Sequence, residues 1–87
     1  KIIANAYCRE SGIALEAETD CCGVQFYAGN FIGEQTGKGG AAYHDRSAFC
    51  LESQFYPNAV NEPDFPSPVV KAGHTYHTET SYRFYLR

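Results

Sequence analysis

The sequence predicts an all-β, antiparallel architecture, and three observations predict it. Apolar and polar residues alternate over several short stretches, no stretch carries the i, i+3, i+4 spacing of an amphipathic helix, and glycine and proline interrupt the chain at short intervals. The chain is also built to pack: 44% hydrophobic and 15% aromatic residues with a net charge of -3 give it ample apolar surface to bury, which argues against disorder.

Ile2 to Cys8 and Ile13 to Thr19 read as two strands joined across Ser11-Gly12, a hairpin in which Ile13, Leu15 and Ala17 alternate against Ala14, Glu16 and Glu18. Val24 to Tyr27 forms a short third strand. Gly29, Gly33, Gly37, Gly39 and Gly40 then break any periodicity, which predicts a long loop. Ser47 to Phe55 alternates again, with Ala48, Cys50, Glu52 and Gln54 on one face and Phe49, Leu51, Ser53 and Phe55 on the other. Between Pro57 and Pro68, four prolines and two asparagines oppose both helix and ladder, so an irregular excursion anchored by side chains such as Phe65 is expected. A turn at Lys71-Ala72-Gly73 leads into the clearest strand, where Tyr76, Thr78, Thr80, Tyr82, Phe84 and Leu86 face one way. The sum is five or six antiparallel strands without an internal repeat.

Composition narrows the function classes. Seven basic against ten acidic residues, with no Lys/Arg stripe, leave no electrostatic footprint for a phosphate backbone, so nucleic acid is not expected as a partner. No apolar run approaches the roughly 20 residues that span a bilayer, and Lys1 to Tyr7 lack the features of a signal peptide, so no membrane partner is expected either. The start at Lys1 and the lack of methionine lead us to expect a piece of a longer protein. Cys8, Cys21, Cys22 and Cys50 read as reduced structural residues: adjacent Cys21 and Cys22 are poorly placed to bond each other, and Cys8 and Cys50 lie in apolar runs where a thiol serves as a small hydrophobe. Neither they nor His44, His74 and His77 show the paired spacing of a zinc site, and no metal is expected. Gly33 to Gly39 has the glycine content of a phosphate loop but not its spacing, its Ser or Thr after the lysine, or a following helix.

Glu52 is the carboxylate that stands out. In the middle of an apolar strand it must either face solvent or be buried with partners, and solvation is the commoner case. Its strand carries Gln54 on the same face and runs into the proline-rich excursion, which can wall a cleft. Gly23-Val24-Gln25-Phe26-Tyr27-Ala28-Gly29-Asn30-Phe31, Phe49-Cys50-Leu51-Glu52-Ser53-Gln54, and Pro57-Asn58-Ala59-Val60-Asn61-Glu62-Pro63 with Phe65-Pro66 follow in order. A Lys-x-Gly-x-x-Tyr segment closes the series at Lys71 to Tyr76. Together they resemble the C-terminal portion of the galactose mutarotase (aldose 1-epimerase) family.

The resemblance implies that residues 1–87 are the C-terminal part of a single larger β-sandwich domain. It implies a general base at Glu52, in the Leu-Glu-Ser motif, and a sugar-binding residue at Gln25, in the Gln-Phe-Tyr motif. The family's general acid is a histidine upstream, and its role passes to none of the three histidines present. The implied activity is interconversion of the α and β anomers of aldohexoses such as galactose and glucose, without a cofactor. The implied partners are the aldohexose and the N-terminal portion of the same protein, and the implied location is the cytoplasm. A non-catalytic carbohydrate-binding or structural β-sandwich module of a larger carbohydrate enzyme is the alternative, since one fold serves several functions.

Overall fold

The computed structural model describes residues 1–87. Seven strands alternate with turns: β1 (Ile2–Tyr7), β2 (Ile13–Thr19), β3 (Gly23–Tyr27), β4 (Gln35–Thr36), β5 (Ala42–Tyr43), β6 (Cys50–Gln54) and β7 (Thr80–Leu86). Every pairing is antiparallel. The strands form a three-stranded sheet in the order β1-β2-β7, a two-stranded β3-β6 sheet and a small β4-β5 hairpin.

The expected N-terminal hairpin is present, closed by Cys8 N donating to the Ile13 carbonyl at 3.0 Å and Gly12 N to the Cys8 carbonyl at 2.9 Å. As the central strand, β2 is covered on both edges, which explains why small residues can be buried there. Ala14 lies between Tyr7 and Tyr85 in the cross-strand row, and Ala17 between Ala4 and Tyr82.

The two larger sheets face each other through the alternation read from the sequence. Ser53 Oγ meets Thr80 Oγ1 at 2.8 Å, Thr80 Oγ1 meets Thr19 Oγ1 at 2.9 Å, and Tyr82 OH donates to the Leu51 carbonyl at 2.9 Å. Leu15, Phe49, Leu51, Tyr82 and Phe84 line a shared apolar hollow between the layers. That hollow is not closed: no large side chain is fully buried, and Phe26, Phe84 and Leu86 keep 59%, 69% and 81% of their surface exposed.

Several expectations are corrected in extent. The strand expected over Ser47 to Phe55 is confined to Cys50–Gln54 because its partner ends at Tyr27, where Gly29 turns the chain away. Arg46 N donates to the Gly29 carbonyl at 2.8 Å, and Ser47 Oγ accepts from His44 N at 2.9 Å, so the residues before β6 belong to a turn. The strand expected from Tyr76 starts at Thr80, since β2 offers no ladder beyond Thr19. The glycine-rich segment is not featureless: β4 and β5 pair within it around a 3₁₀ turn at Lys38–Gly40. The proline-rich excursion holds one 3₁₀ turn, Ala59–Asn61, and Phe65 anchors it edge-to-face on Tyr56 with ring centroids 5.2 Å apart. Cys8 and Cys50 are exposed rather than packed as hydrophobes, Cys8 because it sits in the turn after β1 and Cys50 because it lies at the start of β6 beside the open hollow.

Candidate functional site

Gln25 lies at the middle of β3 and Glu52 at the middle of β6, and the register makes them direct cross-strand partners. Residues opposed in this way hold their Cβ atoms about 4.5–5.5 Å apart. Their flanking neighbours explain the orientation. Phe26 stacks on Phe49 at 5.9 Å, Leu51 accepts from Tyr82, and Ser53 bonds Thr80, so the odd residues of β6 turn toward the other sheet and Glu52 turns away. Glu52 is exposed, and its carboxylate makes no hydrogen bond or ion pair within the chain. Gln25 is exposed too, with its amide donating to the Phe26 carbonyl at 3.3 Å. An acceptor-only carboxylate and an amide with donors and an acceptor thus stand side by side on one open face. That pair can accept a proton and orient hydroxyl groups at one spot.

None of the histidines joins it through a hydrogen bond. His44 engages the Asp45 carbonyl through Nδ1 at 2.9 Å in the turn before β6, His74 N donates to the Lys71 carbonyl, and His77 lies in a separate cleft.

That cleft, about 260 Å³, opens at the end of the two layers and is lined by Asp20, Cys21, Cys22, Phe55, Tyr76 and Thr78 among others. The Asp20 carboxylate accepts from the Thr78 hydroxyl and from the Glu79 amide at 3.0 Å, and these bonds hold its pKa below the ordinary carboxylate value. Thr78 Oγ1 also meets Cys21 Sγ at 2.9 Å, and hydrogen bonding, to Thr78 foremost and then Thr19, lowers the Cys21 thiol pKa. The Tyr76 hydroxyl, 3.8 Å from that sulfur, is raised by the same contact. Sequence reading did not find this cluster because it placed Thr78 inside a strand. The adjacent Cys21-Cys22 pair was the available signal.

A family model described as aldose 1-epimerase matches residues 1–83. The chain is 49% identical over 75 residues to galactose mutarotase of Bos taurus, covering 85% of this chain and 22% of that protein. It is 44% identical over 85 residues to galactose mutarotase of Rattus norvegicus, covering 97% and 25%. With aldose 1-epimerase of Escherichia coli K12 the identity is 33% over 86 residues, again covering 97% and 25%. The chain therefore spans about a quarter of the length of the curated relatives it matches. No helix is long and apolar enough to cross a membrane.

Proposed function

The chain belongs to the aldose 1-epimerase family, and on that premise we propose that it supplies one wall of the sugar site in an enzyme that interconverts the α and β anomers of aldohexoses such as galactose and glucose. Ring opening needs a base to take the proton of the anomeric hydroxyl and an acid to protonate the ring oxygen. Rotation about the bond from the anomeric carbon to its neighbour, followed by closure with the roles reversed, gives the other anomer. Glu52 is assigned as the base, Gln25 as the residue that orients the sugar, and the acid comes from the protein outside residues 1–87. No group or electron is transferred overall, so the reaction itself calls for no cofactor.

The observation that carries this reading is the cross-strand pairing of Gln25 with a Glu52 whose carboxylate is unengaged. The test is optical rotation of freshly dissolved α-D-galactose or α-D-glucose in the presence of the full-length protein. Decay faster than in buffer is expected. Decay at the buffer rate, with sugar binding retained, would make the protein a carbohydrate-binding module instead.

The apolar hollow between the sheets supports a second part of the proposal, that residues 1–87 belong to one larger β-sandwich whose remaining strands cover Phe26, Phe84 and Leu86. Four unpaired cysteines fit a reducing compartment such as the cytoplasm.

A further inference from the structure

We propose that Cys21 and Cys22 form a reversible oxidation site, in which hydroperoxide oxidises Cys21 and Cys22 resolves it to a disulfide between the two neighbours. The first ground is backbone geometry. Residues 20–22 lie in bends between β2 and β3, outside any ladder, so consecutive side chains are not driven to opposite faces, and both residues line the same cleft. Cys22 is held only loosely, its Sγ reaching the Gln54 carbonyl at 3.8 Å.

The second ground is a hydroxyl placed to stabilise the thiolate. The Thr78 hydroxyl has one hydrogen and gives it to Asp20, so it accepts from the Cys21 S–H, and the three groups form a chain from thiol to carboxylate. Once the thiolate forms, Thr78 can turn its hydrogen to the sulfur while the Glu79 amide continues to serve Asp20. Thiolate character governs the rate of such oxidation.

The Cys21 thiolate attacks one peroxide oxygen, the O–O bond breaks, and hydroxide leaves and takes a proton, giving a sulfenic acid. The Cys22 thiol then attacks that sulfur, the S–S bond forms, the S–O bond breaks, and a second water leaves. Two thiols lose two electrons and the peroxide gains them. Neighbouring Cα atoms are only about 3.8 Å apart, short of the roughly 4.4–6.8 Å usual for a disulfide, so the product is strained and readily reduced, as a reversible site requires. Cys8, whose thiol pKa is lowered by Ser11, lines a hollow that holds no second cysteine and has no resolving partner there.

The experiment treats the full-length protein with hydrogen peroxide, alkylates the remaining thiols, and reads peptide masses. A peptide containing residues 21 and 22 that has lost two hydrogens, and regains them with dithiothreitol, is expected. Cys22→Ser should instead accumulate a dimedone-trapped sulfenic acid at Cys21, and Thr78→Val should slow the oxidation by about threefold or more. Oxidation at Cys8 or Cys50 before Cys21, or an unchanged rate in Thr78→Val with an unchanged melting temperature, would overturn the assignment.

Discussion

At the scale of single residues, Glu52 and Gln25 make separable predictions. Glutamine keeps the shape of glutamate but cannot take a proton, so Glu52→Gln in the full-length protein should lower kcat by roughly 10²–10⁴-fold with little change in sugar binding. Gln25→Ala should act mainly on KM. Polarimetric initial rates over a range of sugar concentrations distinguish the two, and near-normal kcat in Glu52→Gln with an unchanged melting temperature would reduce Glu52 to a solvated strand residue. Asp20 makes a prediction about pH. Its folded pKa lies below the unfolded value of about 3.9, so its contribution is present above that value and is lost as pH falls through the lowered folded pKa. Asp20→Asn keeps an acceptor for Thr78 and Glu79 but cannot titrate, so urea midpoints measured from neutral pH downward should fall less steeply on the acid side than in the unsubstituted protein. The sequence carried the types of Gln25 and Glu52 and the motifs around them. It could not carry their opposition, because register between strands separated by residues 28–49 is set by tertiary contacts such as Phe26 on Phe49.

At the scale of elements, alternation located the five longer strands but overran their ends. A strand lasts only as long as its partner, and Ser47 to Phe49 and Tyr76 to Glu79 alternate perfectly well with nothing alongside to pair. The β4-β5 hairpin was illegible for the opposite reason, since two-residue strands show no period. Gly29 marks the end of β3 and is the element boundary most open to test. It is buried with φ +72°, and a Cβ there would collide with the Ala48 carbonyl oxygen. Gly29→Ala should therefore destabilise the fold by roughly 1–3 kcal/mol, read as a lower denaturant midpoint. A midpoint equal to that of the unsubstituted protein would mean that the turn relaxes freely.

At the scale of the molecule, the radius of gyration is 16.6 Å, against about 12 Å for a well-packed chain of this length. The excess reflects two sheets joined by a few hydroxyls and an unfilled hollow, with only five of 87 residues buried. Residues 1–87 by themselves should self-associate through that hollow, and should show no mutarotase activity because Glu52 would have no acid partner. Sedimentation velocity and polarimetry check the two statements, and a monomer with a sharp cooperative melt would show that the layers suffice alone. Fold class was legible because periodicity is local; the open hollow was not, because which apolar faces find cover depends on the whole assembly.

The bond from Arg46 N to the Gly29 carbonyl has a consequence for how the chain tolerates change. It clasps the base of the segment between β3 and β6, leaving the β4-β5 hairpin hanging outside the path that spaces Gln25 from Glu52. Residues inserted at the Lys38–Gly40 tip lengthen only that appendage, and even a doubled loop costs only about 0.6 kcal/mol in closure entropy. The tip is thus a grafting port, where a peptide tag or a whole folded domain can be spliced in while the carboxylate and the amide keep their distance.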